Sequence, residues 1–318
     1  MTQSQRPPTP PVIRGRLVLE VAAEVLGAAG WPYRDVRVSL SGPGAGTIAF
    51  SGGADLTAID DVARGQVQVS IINPAAVLTV ALRGKGPYEQ PVPLRAIAVM
   101  PSPDQIGFAV TADSGLRSLA DIKERRFPLK VSLRGNRSHT IHLFIKELLS
   151  AAGFSLDDIE AWGGEARYDQ GMPESSTRIG AVERGEIDAI FDEAVPDWAD
   201  RALELGMRFL PLEEPLLQQM EDVGFRRAVL TKAAYPKLPE DVPTLDFSGW
   251  TVFTRDDVPD EVVTAVCAAL EARRDRLVGE SGDPLPLEQM VTDTPAGPLD
   301  IPLHPAAERY WRQLGYLA

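Results

Sequence analysis

The 318-residue sequence has few cysteines and histidines and no long apolar run. Its single cysteine, Cys267, excludes an internal disulfide framework, and its apolar neighbours predict a buried helical residue. His139 and His142 share a helix face, but a metal ion would need at least a third ligand. We therefore expect neither a metal nor a cofactor. Because no window approaches the ~20 apolar residues of a membrane span, we expect a chain that is not embedded in a membrane.

Basic residues are outnumbered, which leaves a net charge of −13. A strongly acidic chain is repelled by phosphate backbones, and no basic run with interleaved aromatic residues is present. The charge therefore excludes nucleic acid as the expected partner. With 44% hydrophobic and 24% charged residues, the composition is typical of a soluble globular protein. Its length suffices for two domains.

The first residues, Met1–Pro11, are polar and rich in proline. A secretory signal would need a basic start, an apolar core and a small-residue cleavage site, and this segment has none of them. Two expectations about localisation follow. The protein is cytoplasmic if Met1 is the native start, and periplasmic if a leader has been removed.

The apolar residues of the chain alternate between strand spacing and helix spacing. Helices that alternate with strands predict parallel sheets covered by helices on both faces. The glycine-rich segment Ser41–Gly53 predicts a loop. The predicted strands are Val36–Leu40, Val67–Ile72, Leu94–Met100, Ile106–Thr111, Leu129–Leu133, Ile159–Trp162, Ile187–Asp192, Met207–Leu210, Phe225–Thr231 and Gly249–Thr254.

The alternation occurs twice along the chain, which predicts an α/β fold with two doubly wound lobes. We expect residues 1–100 plus 249–318 to form lobe I and residues 101–248 to form lobe II, with crossing strands between them. Ligands of doubly wound sheets bind at the carboxyl ends of the strands. The sequence therefore predicts a ligand cleft between the lobes.

Four segments resemble solute-binding proteins. Asp113–Lys123 (DSGLRSLADIK) and Gly185–Ala189 (GEIDA) are similar to motifs common to many of them. Two further segments, the stretch from Tyr235 to Leu245 (YP…DVPTL) and Pro302–Tyr310 (PLHPAAERY), resemble the TAXI-type receptors of TRAP transporters. The resemblance covers about residues 50–318. It implies a periplasmic-binding-protein-like fold of type 2, a small-molecule ligand and TRAP membrane subunits as partners.

The sequence departs from that family in two ligand loops. Family members usually begin with a strand and a "GTYY"-like loop, whereas here a helix follows the proline-rich start directly. The second ligand loop of the family resembles "GSGT", whereas here it is the bulkier and more polar Gly135–Thr140 (GNRSHT). These differences concern the transport role more than the fold.

The strongest candidate site is the loop from Arg134 to His142, where a predicted strand leads into a helix. Free N–H groups and the helix dipole at a helix N-terminus favour an anion. Asn136 or Ser138 is the expected N-cap. Arg134 or Arg137 is expected to add bidentate contacts to a carboxylate. An ordinary capped helix with solvated arginines is the alternative.

Other candidates follow predicted strands or begin helices. His139 can hydrogen-bond a ligand or move a proton near neutral pH. Asp192 and Glu193 can perform acid–base chemistry if burial shifts them, or one of them caps a helix. The predicted ligand-binding set is Gly53, Asn73, Arg134, Asn136, Arg137, Ser138, His139, Thr140, Asp192 and Tyr235.

Two functions remain open at this stage. The first is a solute-binding protein that captures a small carboxylated molecule in the cleft and passes it to a membrane partner. The alternative is a cytoplasmic enzyme on the same fold, such as a decarboxylase of a small organic or aromatic acid, with His139, Asp192 and Glu193 as reacting groups. Fold alone does not decide between them, because function lies in the site.

Overall fold

The computed structural model describes residues 13–27, 35–42, 46–275 and 284–317. The chain divides into two compact units, Met1–Val36 and Arg37–Ala318. In the first unit, helix α1 spans Ile13–Gly27, and a helix was predicted to follow the proline-rich start. Apolar side chains of α1, among them Leu17 and Val18, are exposed.

The rest of the described chain alternates between strands and helices. The strands are β1 (Val36–Gly42), β2 (Gly46–Gly52), β3 (Val69–Ile72), β4 (Leu94–Met100), β5 (Gly107–Val110), β6 (Lys130–Arg134), β7 (Glu165–Asp169), β8 (Ala189–Asp192), β9 (Arg208–Phe209), β10 (Arg227–Leu230), β11 (Val242–Leu245) and β12 (Trp250–Arg255). The helices after α1 are α2 (Thr57–Ala63), α3 (Ala76–Leu82), α4 (Leu119–Glu124), α5 (Ile141–Ala152), α6 (Leu156–Ala161), α7 (Ile179–Glu183), α8 (Val195–Glu204), α9 (Glu214–Val223), α10 (Asp260–Arg273), α11 (Leu287–Met290) and α12 (Pro305–Gln313). In the described residues no helix has the length and apolarity to cross a membrane.

Two five-stranded sheets organise the second unit. The first sheet has the order β1-β2-β3-β12-β4 and the second has the order β7-β6-β8-β5-β9. Strand β12 comes from late in the chain and lies between β3 and β4, antiparallel to both. In the second sheet, β6 is parallel to β7 and β8, whereas β5 is antiparallel to β8 and β9.

The prediction of parallel sheets was therefore right only for some strand pairs, because both sheets are mixed. The antiparallel strands β5 and β12 each follow a passage from one sheet to the other. Parallel neighbours in one sheet need a helical crossover, but a strand that arrives from another sheet has no such requirement. The direction of β5 and β12 is thus set by the path between the sheets.

Several predicted elements need correction. Residues Ile159–Trp162 do not form a strand, because Ser155 and Asp158 make a capping box that starts α6. The neighbouring strand is β7 instead. Much of the predicted loop Ser41–Gly53 is strand, since β2 occupies its second half. The sequence reading also missed α9 and β11.

The two sheets are joined by a pair of crossing segments. One lies between β4 and β5 and the other between β11 and β12. They pair with each other through an antiparallel bridge from Gln105 to Asp246. The amide of Phe247 donates to the carbonyl of Asp104 at 2.9 Å. The largest hydrophobic cluster continues beside this pair, where the Phe144 ring lies 4.4 Å from Phe225 and 5.0 Å from Phe247. Crossing segments and core together hold the loops at the strand ends.

Helix α10 supports the first sheet from outside. Cys267 lies in α10 and is buried, as predicted. Burial raises the pKa of its thiol to about 12, so the thiol remains protonated at neutral pH. The cysteine therefore serves packing.

Candidate functional site

Polar residues gather where three strands end. Asn73 follows β3, Arg134 is the last residue of β6, and Asp192 is the last residue of β8. Asp192 and Asn73 are buried. Because β6 and β8 are parallel neighbours, their carboxyl ends bring Arg134 and Asp192 together. Such strand ends are the usual position for ligands in this architecture.

The centre of the site is a buried ion pair between Arg178 and Asp192. Neither side chain has any exposed surface. The guanidinium of Arg178 donates to Asp192 and, through Nε, to the hydroxyl of Ser132 at 2.9 Å. Because a buried guanidinium cannot lose its proton, it needs a counter-charge, and Asp192 supplies it.

Arg134 is the second cation of the cluster. Its Nε lies 3.3 and 3.2 Å from the two carboxylate oxygens of Asp192, and its Nη2 lies 3.0 Å from Oδ1. Nη2 also donates to the carboxyl group of Glu193. Arg134 and Glu193 keep 13% and 12% of their side chains exposed, so their contact forms the edge of the cluster that solvent reaches.

The two arginines decide the ionisation of Asp192. Burial opposes a charged carboxylate, but Arg178 and then Arg134 outweigh it, and the pKa of Asp192 is lowered. The pKa of Arg134 is raised, since Asp192 and Glu193 overcome the effect of its burial. Asp192 is therefore a fixed anion that holds two guanidinium groups in place. It is unsuited to exchange protons near neutral pH.

Asp104 connects this cluster to the crossing segments. Its carboxylate accepts from the amides of Ala194 at 2.8 Å and Val195 at 3.2 Å, and so caps the N-terminus of α8. Its own amide donates to the hydroxyl of Ser248, on the other crossing segment, at 3.0 Å. A side-chain hydrogen bond joins Asp104 to Glu193. A chain of contacts thus runs from the crossing segments through Asp104 and Glu193 to Arg134.

The carboxyl groups of Glu193 and Asp104 have raised pKa values. Burial raises the pKa of Asp104 to about 7, against the lowering effect of the Ala194 amide. Burial also raises the pKa of Glu193 well above its ordinary value; Arg134 lowers it, and the charges of Asp192 and Asp104 raise it further. Two carboxyl groups that hydrogen-bond each other need a proton between them. The pair therefore holds a proton at a pH where exposed carboxyls have lost theirs.

The loop between β6 and α5 holds the next group of predicted residues. The side-chain oxygen of Asn136 accepts from the amide and hydroxyl of Ser138 at 3.1 and 2.8 Å. Both residues are exposed, and neither caps α5, whose N-cap residue is Thr140. The prediction of Asn136 or Ser138 as N-cap was thus wrong. The guanidinium of Arg137 lies over the Tyr168 ring, 3.8 Å from the ring centroid.

The first amides of α5 already have acceptors. The amide of Thr140 donates to the carbonyl of Ala54 at 3.0 Å, and that of Ile141 donates to Nδ1 of His139 at 3.2 Å. The next two amides, of His142 and Leu143, donate to the carbonyls of His139 and Thr140 at 3.0 Å each. In this conformation the N-terminus of α5 therefore offers these four amides to the protein itself.

His139 is a neutral imidazole in this site. Burial, followed by the charge of Arg134, lowers its pKa to about 4. Since Nδ1 accepts from the Ile141 amide, the ring proton belongs on Nε2, where it can be donated. The ring stacks on Phe247 with centroids 6.3 Å apart. His139 can thus donate a hydrogen bond at neutral pH without carrying charge.

Three predicted residues tie the first sheet to α5. The hydroxyl of Thr140 donates to the backbone carbonyl of Asn73 at 2.9 Å, and His139 forms a bridge with Asp55, two residues after Gly53. The side-chain amide of Asn73 donates to the carbonyls of Phe247 and Gly249 at 3.1 and 3.2 Å. The Asn73 amide is therefore engaged in holding the crossing segment.

Tyr235 lies away from this group, at the edge of the hydrophobic cluster around α8. Burial and then the charge of Asp104 raise its pKa to about 12. Tyr235 is thus connected electrostatically to Asp104. Among the described residues, no group of three or more histidine, cysteine, aspartate or glutamate side chains could hold a metal ion.

Sequence reasoning missed Arg178, Asp104 and Ser132. A signal for Arg178 was available, because Arg178, Ala181 and Val182 share one helix face by their spacing, and two of them are apolar. An arginine on the apolar face of a helix indicates a buried charge that needs a partner. Asp104 lies in a short segment between strands and carries no such periodic signal.

Two mixed sheets joined by a pair of crossing segments, with polar residues at the strand ends, define a two-lobed α/β fold of the type 2 periplasmic-binding-protein-like class. This confirms the predicted fold class. The chain belongs to the NMT1-like family, whose sequence profile matches residues 41–315.

Two solved structures that match this chain have low sequence identity to it. A protein of Bordetella bronchiseptica RB50 is 13% identical with a TM-score of 0.42, and the match covers 82% of this chain and 86% of that one. The alkanesulfonate-binding protein SsuA of Xanthomonas axonopodis pv. citri, bound to MOPS, is 14% identical with a TM-score of 0.31, and the match covers 70% of this chain and 80% of that one.

Proposed function

We propose that this protein is a solute receptor that captures a small carboxylated molecule between its lobes and passes it to the membrane subunits of a TAXI-type TRAP transporter. The observation that carries the proposal is Arg134, a mostly buried guanidinium whose outer edge reaches solvent at the carboxyl end of β6. The transporter class rests on the resemblance of residues 235–245 and 302–310 to that branch.

A carboxylate is the ligand group that suits Arg134. A guanidinium presents parallel N–H donors that match the two oxygens of a carboxylate, and burial strengthens such a contact. Asp192 fixes the orientation of the guanidinium from the inner side. His139 supplies a neutral Nε2–H donor nearby, which can bind a second oxygen of the ligand.

Ligand entry would require the lobes to separate. We propose lobe I as residues 1–100 plus 249–318 and lobe II as residues 101–248. The contacts of Thr140 with Ala54 and Asn73 then join the two lobes. Opening these contacts would free the amide of Thr140 at the N-terminus of α5, which favours an anion. Hinge closure around a ligand is the motion that this arrangement supports.

An enzyme remains the second candidate, because Glu193 has a raised pKa at a solvent-reached edge. In that case Glu193, rather than Asp192, would exchange the proton. His139 would donate a hydrogen bond as a neutral imidazole. The substrate would again be a small acid held by Arg134.

The deciding experiment mixes the purified protein with amino acids, keto acids, dicarboxylates and aromatic acids and follows each by proton NMR over hours. Saturation transfer to an unchanged carboxylate supports a receptor. Substitution Arg134→Lys keeps the charge but loses the bidentate fork, so affinity should fall about tenfold or more. Arg184→Lys is the matched control, because Arg184 pairs with Glu186 on the surface.

Two other outcomes would count against a receptor that binds its ligand through Arg134. New product peaks that disappear in Glu193→Gln would establish an enzyme. Binding that survives unchanged in Arg134→Lys would place the ligand elsewhere. The identity of neighbouring genes tests the partner, since TRAP membrane subunits favour transport and catabolic genes favour chemistry.

A further inference from the structure

The outer edge of Arg134 is already occupied by a carboxyl group of the protein itself. Nη2 of Arg134 donates to Glu193, and these two side chains keep 13% and 12% of their surface exposed. A ligand carboxylate that approaches Arg134 from solvent therefore meets Glu193 first. Both cannot occupy the same donor in good geometry.

The carboxyl group of Glu193 has a second partner besides Arg134. Its carboxyl group hydrogen-bonds Asp104, and its backbone amide is fixed by Asp192 Oδ1 at 2.9 Å. Its carbonyl accepts from Nε1 of Trp198 at 2.9 Å, so the backbone is anchored while the side chain remains at the edge. A side chain held at its base can exchange one partner for another without moving the strand.

We propose that Glu193 is an internal competitor: its carboxyl group fills the place on Arg134 that the ligand carboxylate takes, and protonation of the Glu193–Asp104 pair releases that place. The inference rests on the proposed function and deepens it. When the ligand binds, the contact between Arg134 and Glu193 breaks and one between Arg134 and the ligand forms. Glu193 then keeps the proton and donates it in a hydrogen bond to ionised Asp104.

The charge balance supports this exchange. The two guanidinium groups of Arg134 and Arg178 are matched by Asp192 and by one charge on the Glu193–Asp104 pair. If the pair loses its proton, Glu193 becomes fully ionised and holds Arg134 more strongly. If the proton is present, Asp104 stays the ionised cap of α8 and Glu193 is the neutral member.

Other charged groups surround the pair. Arg134 on β6 and Asp192 on β8 face Glu193 directly, and Asp104 faces it from the crossing segment. Further out, Arg178 pairs with Asp192. Besides the effects of burial, the charge of Glu174 raises the pKa of Arg134, and the charge of Arg134 lowers the pKa of His139. Burial and the charge of Asp104 raise the pKa of Tyr235. The pair therefore titrates beside Arg134 and Asp192, whose shifted pKa values keep both of them charged near neutral pH.

The test measures the affinity of acetate, succinate and benzoate for the intact protein from about pH 6 to about pH 9, where each probe carries at least one ionised carboxylate. For wild type, the affinity should fall about tenfold across this range, because Glu193 loses its proton as pH rises and then competes for Arg134 as a carboxylate. Glu193→Gln keeps the shape without the charge. It should bind about tenfold tighter than wild type near pH 8 and vary less than about twofold with pH.

A second variant separates competition from a structural role. Asp104→Asn removes the negative charge that helps Glu193 keep its proton. Glu193 should then ionise at lower pH, and the fall in affinity should begin at lower pH than in wild type. Glu186→Gln, on an exposed ion pair, should reproduce the wild-type profile. A variant that only loosened the fold would not move the profile in this directed way.

Wild type alone supplies an independent measurement. Titration calorimetry near pH 8 in buffers of different ionisation enthalpy should show proton uptake when a probe binds. The proposal is overturned if no proton is taken up, or if folded Glu193→Gln binds no tighter than wild type and keeps its pH profile. If a probe binds wild type through Arg134 but these results are negative, only the competitor fails. If no probe binds wild type or Glu193→Gln, the proposed function and the competitor fail together.

Discussion

Arg178 has no exposed surface, and its guanidinium donates to Asp192 and to Ser132. The carboxylate is therefore essential to the pair, since a buried arginine keeps its charge. Asp192→Asn should lower the free energy of unfolding by about 3–5 kcal/mol, because it leaves a buried charge uncompensated. Urea denaturation of both proteins at neutral pH measures the loss.

The matched control for that substitution is Glu186→Gln, which breaks an exposed ion pair with Arg184. Its unfolding midpoint should remain at the wild-type value, because solvent screens exposed pairs. A similar small effect for Asp192→Asn would mean that water reaches Arg178 after all.

The lowered pKa of His139 predicts a loss of folding stability in mild acid. Its folded pKa, about 4, lies below the ordinary 6.5, so the unfolded chain binds the proton first as pH falls. The stabilising contribution is present above about pH 6.5 and is lost toward about pH 4. Relative to wild type, His139→Gln should therefore gain about 2 kcal/mol as pH falls from about 6.5 to about 4.5. Urea midpoints over this range test it; parallel curves would contradict it.

The raised pKa of Asp104 predicts the opposite dependence of folding stability on pH. Burial raises the pKa of Asp104 from 3.8 to about 7 and that of Glu193 well above its ordinary value, so the folded Glu193–Asp104 pair keeps a proton that the unfolded chain has lost. The stabilising contribution is present at low pH and is lost as pH rises through about 7. Relative to wild type, Asp104→Asn should gain about 2 kcal/mol between about pH 4.5 and about pH 7.5. A pH-independent difference in the free energy of unfolding would refute this assignment.

At the scale of elements, α5 is attached to the first sheet through its N-terminal residue. The buried hydroxyl of Thr140 donates to the carbonyl of Asn73 at 2.9 Å. Thr140→Val keeps the shape but leaves that carbonyl without this donor, which should cost about 1–2 kcal/mol of unfolding free energy. Thr140→Ser retains the hydroxyl and serves as the control. An equal loss in both variants would indicate packing rather than the hydrogen bond.

Two misassigned elements, α6 and β2, have different physical causes. Ile159 and Trp162 suit a strand by side-chain type, but the capping box of Ser155 and Asp158 satisfies the first amides of a helix. The local hydrogen bonds therefore outweighed the strand propensity of a few apolar residues. In β2 the glycines at both ends hid an alternating stretch, and pairing with β3 decided its structure.

At the scale of the whole molecule, the proposed receptor should be stabilised by its ligand. A ligand that binds only the folded state adds about 2.7 kcal/mol at a concentration 100 times its Kd. The carboxylate found by NMR should thus raise the thermal unfolding midpoint with increasing concentration. Arg134→Lys should show a smaller rise at each concentration, whereas Arg184→Lys should match wild type. An equal rise in all three proteins would mean that stabilisation by the ligand does not depend on Arg134.

How the two sheets join was only partly visible in the sequence. The alternation of strands and helices indicated two lobes, and the late segment at residues 249–254 was expected to return to the first. Its insertion as β12 between β3 and β4, antiparallel to both, depends on backbone pairing between distant segments. Periodicity along one strand carries no information about which strand pairs with it.

The sequence by itself determined the α/β class, the acidic character, the buried Cys267 and the position of Arg134 and Asp192 at strand ends. These follow from local periodicity and composition, which each segment carries independently of its neighbours. Only the tertiary structure decided that Arg178, the residue before α7, reaches Asp192, that Asp104 caps α8, and that Glu193 contacts Arg134. Those contacts join residues from distant segments, and burial then sets their charges, because both depend on which groups folding brings together.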